Sequence, residues 1–271
     1  MSVRLCIAGA GGRMGQALLE AALGDRECAL ASALDIAESA LAGRDAGERF
    51  GRATGVAVTT DIAAAVAKAD VLIDFTRPAG TLAHVGACAR AGVAAVVGTT
   101  GLGQPERERL AEFARSVPIV VAPNMSVGVT LLARLVEEAA RVLGDSFDVE
   151  IVEMHHRHKV DAPSGTALFL GDAAAKGLGR DLGTDAVMGR SGVTGERKRG
   201  AIGFASLRGG DVVGDHCVVF AGPGERLELG HRAGSRLNFA QGALRAAKFV
   251  AGKRATGATG TFDMRDVLGL R

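Results

Sequence analysis

Val3-Arg4-Leu5-Cys6-Ile7-Ala8-Gly9-Ala10-Gly11-Gly12-Arg13-Met14-Gly15 is the stretch that decides the fold. Val3 to Ala8 is a short, largely apolar run that reads as a strand, and Met14 to Leu23 behind the glycines reads as an Ala/Leu-rich helix. Glycines between a strand and a helix let the backbone turn tightly and approach a pyrophosphate, whose charge is favoured by the N–H groups at the helix start. The spacing is GxxGxxG rather than the commoner GxGxxG, so context has to strengthen it. Asp35 lies about 20 residues beyond Gly15, at the end of a second predicted strand, Ala29 to Leu34, where an acid binds ribose hydroxyls. A carboxylate there favours the free 2′-hydroxyl of NADH and repels the 2′-phosphate of NADPH. Ile36, not Arg, comes next, so NADH is favoured; Arg13 and Arg44 could still reach a phosphate and leave dual use open.

The same alternation continues outward. Val56 to Thr59 reads as a strand, Asp61 caps a helix through Ala69, Val71 to Phe75 is a strand, and Pro78 starts a helix through Ala91. Ala94 to Val97, Glu106 to Arg115 and Ile119 to Val121 add a strand, a helix and a strand. Strands this uniformly apolar belong to a parallel sheet covered on both faces. Ligands of such sheets sit beyond the carboxyl ends of the strands, which is where Phe75 to Pro78, Gly98 to Gly101 and Ala122 to Ser126 fall. Thr and Asn in those loops can hydrogen-bond a nicotinamide and its ribose.

After Asn124 the pattern changes. An amphipathic helix, about Thr130 to Val142, precedes a strand with one wet face, Asp148 to Met154. Gly/Arg-rich loops between Lys176 and Gly200 lead to Ala201 to Leu207, Asp211 to Ala221 and Arg226 to His231, which read as antiparallel strands. Ser235 could cap a helix through Val250, and Thr261 to Leu268 could return to the first domain. The expected fold is α/β: a Rossmann-like doubly wound parallel sheet with a second α+β domain carrying a mixed or antiparallel sheet. Residues 1–126 plus 236–271 would form the dinucleotide-binding domain and 127–235 the substrate-binding and oligomerisation domain.

Composition narrows the chemistry. With 32 basic and 30 acidic residues among 271, the formal charge of +2 gives no basic excess to track a phosphate backbone, so no nucleic-acid partner is expected. Cys6, Cys28, Cys88 and Cys217 are scattered singly, which fits neither a disulfide framework nor a zinc ribbon, and no signal peptide or membrane-spanning run is evident. A cytoplasmic location and no membrane partner are expected. The absence of Tyr and Trp excludes reductases that donate a proton from a Tyr/Lys pair.

The acid is sought in Glu153-Met154-His155-His156-Arg157-His158-Lys159-Val160-Asp161-Ala162-Pro163-Ser164-Gly165-Thr166-Ala167. Five consecutive residues that are or can become cationic end a strand. Their crowding raises the energy of each protonated form, so that a Lys or His there donates a proton more readily near neutrality. Ser164-Gly165-Thr166 then opens a helix whose first N–H groups suit a carboxylate. Loop and helix start together describe a dianion pocket with an acid inside it. The three His fit no metal-ligand spacing, so no metal is expected.

These residues resemble the 4-hydroxy-tetrahydrodipicolinate reductase (dihydrodipicolinate reductase) family. The resemblance spans nearly the whole chain: the glycine run with Arg13 and Met14, Asp74 to Pro78, Gly98 to Gly101, Asn124 with Ser126, and above all Glu153 through Ala167, then Gly195 to Arg197, Ile202 to Ala205, Gly224 to Glu228 and Phe262 to Leu268. It implies that His155 donates the proton, Lys159 assists as a second acid, His156 holds the substrate, and Gly165 and Thr166 grip a carboxylate. It implies dinucleotide contacts at Gly9, Ala10, Gly11, Gly12, Arg13, Met14, Asp35, Arg77, Gly98, Thr99, Thr100, Ala122, Pro123, Asn124 and Met125. The reaction implied is hydride transfer from NADH or NADPH to C4 of a cyclic conjugated imine dicarboxylate, after loss of water from the 4-hydroxy substrate, in diaminopimelate and lysine biosynthesis. Similar enzymes are homotetramers joined through the sheet of the second domain. Two departures are Ile36, where many members carry Arg, and Met125, where Phe is frequent. A different amino- or keto-acid dehydrogenase would share the glycine run without needing both the cation run and the helix-start anion site. A non-catalytic dinucleotide sensor would need neither His155 nor Lys159.

Overall fold

The computed structural model describes residues 2–271 and divides into two units, the chain up to Val127 with Arg236–Arg271, and Gly128–Ser235. In the first unit β1 (Val3–Ala8) leads through the glycines into α1 (Arg13–Gly24), followed by β2 (Cys28–Leu34), β3 (Val58–Thr59), α2 (Ile62–Val66), β4 (Val71–Asp74), α3 (Pro78–Ala91), β5 (Ala94–Val97), α4 (Gln104–Phe113) and β6 (Pro118–Val121). The second unit takes α5 (Val127–Leu143), β7 (Asp148–His155), α6 (Gly165–Leu178), α7 (Leu182–Asp185), β8 (Ala186–Val187), β9 (Ile202–Arg208), β10 (Gly214–Gly222) and β11 (Glu225–Ala233). The chain then returns to the first unit as α8 (Leu237–Ala255), β12 (Gly260–Phe262) and α9 (Met264–Leu268).

The first sheet is seven-stranded and parallel, in the order β12-β6-β5-β4-β1-β2-β3. Period-two alternation sends Leu5 and Ile7 of β1 to one face, where they join the cluster holding Leu18, Ala243, Ala247 and Val250. Cys6 and Ala8 go to the other, with Val66 and Cys88. Both faces are dry, which is why the strands read as apolar runs rather than alternating ones. Strand order reverses between β1 and β4, so the glycine run leaves β1 at the switch point where such sheets bind ligands. β3 is shorter than its sequence suggests because the Val56 carbonyl accepts from the Ala46 amide instead of joining the sheet. The N-cap of α8 is Arg236, not Ser235, and the helix runs past Val250 to Ala255. The tail returns as β12, parallel to β6, and Asp263 and Asp266 form a reciprocal capping box on α9.

The second sheet has the order β11-β10-β7-β9-β8. β10 is antiparallel to β7 and β11, as expected. β9, expected to be antiparallel, runs parallel to both β7 and β8. The physical reason is its connection: the chain reaches β9 by a long crossover through α6 rather than a hairpin, and crossovers produce parallel neighbours. The Gly/Arg-rich region also contains α7 and β8, which composition hid. β7 alternates so that Val149, Ile151, Glu153 and His155 are buried, the first two packed in the cluster containing Ala167 and Leu170 of α6. No helix among the described residues is long and apolar enough to cross a membrane.

Candidate active site

At the dinucleotide end the glycines are required by geometry. Gly9 adopts φ +70, and a Cβ on Gly15 would lie 2.0 Å from the Gly9 carbonyl oxygen and 2.8 Å from Ala10 Cα. Gly12 caps α1 without a side-chain bond, and no acid occupies the first turn, so the helix start presents main-chain amides to an anion. Asp35 is brought to this loop: its Oδ2 accepts from Gly11 N (2.7 Å) and Ser39 Oγ (2.8 Å), and its Oδ1 from Ile36 N (2.9 Å). A tight glycine turn, an uncapped helix start and a carboxylate at the end of β2 fit a dinucleotide. Arg13 and Arg77 are exposed, Met14 half-buried, and Arg44 is paired with Glu48 rather than directed at the loop.

The neighbouring loops are shaped by a buried carboxylate that sequence reasoning had left without a role. Asp74, fully buried at the end of β4, accepts from Thr76 N (2.7 Å), Thr76 Oγ1 (2.7 Å), Thr81 Oγ1 (3.2 Å) and Thr99 Oγ1 (3.3 Å), and lies 2.6 Å from His84 Nδ1. Burial alone would raise its pKa, but His84 and Thr76 outweigh this and hold it below the usual carboxylate range. The Thr99 hydroxyl is thus engaged inside the protein, while Thr100 is exposed. Gly98 must lack a side chain because a Cβ would meet the Phe75 ring at 2.2 Å. Ala10, Ala122 and Met125 have buried side chains, so contacts from them to a ligand would be main-chain contacts; Pro123 is exposed, and Asn124 Oδ1 accepts from Ser126 N (2.8 Å).

At the acid end, His155 closes β7 on its buried face. Its Nδ1 lies 2.6 Å from Glu153 Oε2. Glu153 is 1% exposed and clamped by both terminal nitrogens of Arg208 at 2.8 Å each, with Ser164 N at 3.3 Å. Burial acts to raise the Glu153 pKa, but Arg208, His155 and Ser206 bring it down to about 2. Lys159 bonds Asp161 at 2.8 and 2.9 Å. The five-cation run is therefore not left crowded, because His155 and Lys159 each have a carboxylate, and Arg157 and His158 are exposed. His156 is half-buried and its amide donates to Val212 O (2.8 Å). α6 starts directly behind, with Ser164 Oγ accepting from Ala167 N (3.1 Å); Gly165 and Thr166 stand ahead of the helix's first main-chain bond, from Leu168 N to Ser164 O.

His216 of β10 joins this group. Its ring meets His155 edge-on at 5.1 Å and its Nε2 lies 2.9 Å from Ser164 Oγ. Ser164 Oγ accepts from Ala167 N and makes one further hydrogen bond with His216 Nε2, in which the ring's tautomer sets the donor. Burial, reinforced by His155, lowers the His216 pKa to about 4, while Glu153 acts in the opposite direction. The unfolded chain, with a histidine near 6.5, then binds the extra proton first, so stability falls as pH drops from about 6.5 to about 4, by roughly 3 kcal/mol. Urea unfolding at pH 7 and pH 5 is expected to show a smaller loss for His216→Gln, whose amide can still hydrogen-bond Ser164 but has no charge to gain. Arg208 and His216 escaped the sequence reading because each lies more than 50 residues from the partner it touches. The available signal was a polar residue at an inward position of an alternating strand. Among the described residues no group of three or more His, Cys, Asp or Glu is disposed to hold a metal ion.

The cradle on a Rossmann-like sheet, carried with a second unit that buries a histidine against its own carboxylate, places the chain among two-domain, dinucleotide-dependent oxidoreductases. Residues 3–125 match "Dihydrodipicolinate reductase, N-terminus" and residues 128–268 match "Dihydrodipicolinate reductase, C-terminus". The chain belongs to the dihydrodipicolinate reductase family. It is 60% identical over 271 residues to the 4-hydroxy-tetrahydrodipicolinate reductase of Thiobacillus denitrificans, covering 100% of both chains. It is 56% identical to that of Aromatoleum aromaticum, covering 100% of this chain and 97% of the relative. Among solved structures it is similar to a dipicolinate-bound dihydrodipicolinate reductase from Paenisporosarcina sp. TG-14, with a TM-score of 0.74, 25% identity, and coverage of 97% of this chain and 98% of that one.

Proposed function

We propose that the chain reduces 4-hydroxy-tetrahydrodipicolinate to tetrahydrodipicolinate with NAD(P)H, in diaminopimelate and lysine biosynthesis. The observation that carries this reading is His155, held by Glu153, next to a helix start at Gly165 and Thr166 that suits a carboxylate. A bound reduced nicotinamide supplies the hydride. The chain's own residues do the rest. Gly9 to Met14 take the pyrophosphate, Asp35 the ribose, and the loops Gly98 to Thr100 and Ala122 to Met125, with Arg77, the remainder of the dinucleotide. Gly165 and Thr166 grip one carboxylate of the imine and His156 holds the substrate. His155 gives up a proton as the ring gains negative charge, and Lys159 acts as the second acid once substrate draws it from Asp161.

Preference for NADH rests on Asp35, whose carboxylate sits against the glycine loop with exposed Ile36 beside it. Asp35→Ala is expected to raise KM for NADH by roughly 10–100-fold, the worth of a charge-assisted hydrogen bond, and to change KM for NADPH far less. Initial rates with both dinucleotides check this. Homotetramer formation through the sheet of the second unit belongs to the same reading, supported by exposed Leu207 and Leu227 on β9 and β11. The cytoplasm is the location that suits four free cysteines. The function itself is tested by incubating the protein with freshly generated imine and either dinucleotide: tetrahydrodipicolinate formed in proportion to dinucleotide oxidised supports it, and oxidation only with an unrelated keto acid would overturn it.

A further inference from the structure

The proton donor proposed above is held by an arrangement that does more than fill the core. Glu153 and His155 stand two residues apart on the buried face of β7, and Ser206 and Arg208 of β9 lie beside them in register. An ionised carboxylate in that position is tolerated because Arg208 binds both of its oxygens. Arg208 also donates to the Asp161 carbonyl (2.7 Å), and Glu153 accepts from Ser164 N. One carboxylate thus ties together the end of β9, the loop carrying Lys159, the start of α6 and the His155 ring.

A carboxylate only accepts hydrogen bonds, so Glu153 Oε2 requires the proton on His155 Nδ1. Only Nε2 is then left to exchange a proton with a ligand. The protein keeps the Nε2 edge clear: the residue against it is Gly214, where a Cβ would come within 2.9 Å of Nε2. On the other side the edge-on ring of His216, fixed by Ser164, limits rotation of His155.

We propose that Glu153, clamped by Arg208, is a positioning residue for proton donation: it holds the Nδ1–H of His155, so that the imidazolium gives up its Nε2 proton and is left as the Nδ1–H tautomer. The inference rests on the reading of His155 as the acid. An amide in place of the carboxylate would turn its N–H pair towards Arg208 in either orientation, and in one of the two towards His155 Nδ1 as well, which breaks the bond that holds the ring. Wrong-tautomer variants of comparable carboxylate–histidine pairs lose up to about 10⁴ in kcat; here the amide oxygen can still accept from His155 in part of the population, so Glu153→Gln is expected to lose about 10²-fold.

The test compares wild type, Glu153→Gln, the double variant Glu153→Met/Arg208→Met, and His155→Ala. The double variant removes both members of the buried pair, so no lone charge is left to unfold the domain. Expected results are a fall in kcat of about 10²-fold in Glu153→Gln and at least that in the double variant, with KM for the imine and for the dinucleotide each within about 3-fold of wild type. In ¹⁵N spectra of histidine-labelled wild type, the neutral His155 resonance, assigned by its loss in His155→Ala, should show Nδ1 protonated; in Glu153→Gln it should shift towards the mixed pattern of a free imidazole. Wild-type kcat in a folded double variant, or neutral His155 protonated at Nε2 in wild type, would overturn the proposal. Full activity of His155→Ala would instead refute the assignment of His155 as the acid, and so separates the two failures.

Discussion

Replacing His155 by alanine is expected to lower kcat by about 10²–10⁴-fold while leaving dinucleotide affinity within a factor of about 3. The size follows from what general acids contribute when their proton is needed in the transition state. The selectivity follows from location, because His155 belongs to the second unit and the glycine cradle to the first. Stability should change little for so large a kinetic effect. The ring is 9% exposed, its removal leaves Glu153 still paired to Arg208, and His216 keeps its bond to Ser164. Steady-state kinetics with isothermal titration of the dinucleotide would measure both quantities. A loss of binding in parallel with kcat would show that the residue acts on structure rather than on the proton.

Gly15→Ala is expected to have the second large effect, and at the other end of the molecule. Its Cβ would stand 2.0 Å from the Gly9 carbonyl oxygen and 2.8 Å from Ala10 Cα, both main-chain atoms that no rotamer change can move. The turn must open, and it is this turn that aims the amides at the start of α1. Overpacking of this kind costs about 1–3 kcal/mol, which, expressed in ligand binding, weakens the dinucleotide by roughly 5–150-fold. Gly24→Ala, at the far end of the same helix, meets nothing within 4 Å and serves as the control that should bind normally. Fluorescence titration with NADH would decide it.

How much of this was legible follows from sequence distance. The glycine run, Asp35 and the apolar strands are local patterns read over a few tens of residues, and six strands of the parallel sheet follow from them, whereas β12, the seventh, was legible only as a return of the tail. The helix start at Ser164 was legible for the same reason: a capping side chain and the amide it binds are three residues apart. What escaped was long-range. Arg208 reaches Glu153 across 55 positions and His216 reaches Ser164 across 52, and alternation gives the face each polar residue takes but not the partner it meets there. The direction of β9 escaped because alternation fixes which face a side chain takes and carries no information on whether a neighbour runs parallel. The crowding expected of the cation run was offset by Glu153, which lies just outside it, and by Asp161, two residues after Lys159. The charges were visible in the sequence, but their pairing depended on how the loop folds.

Delivery of a hydride to C4 of a cyclic imine dicarboxylate is the step on which the proposed activity turns. Its most direct test uses dinucleotide carrying deuterium at the transferred position, freshly generated substrate, and NMR of the product. One deuterium is expected at C4 of tetrahydrodipicolinate for each dinucleotide oxidised, together with loss of the 4-hydroxyl as water. Oxidation of the dinucleotide with no deuterium in the product, or deuterium at another carbon, would contradict it.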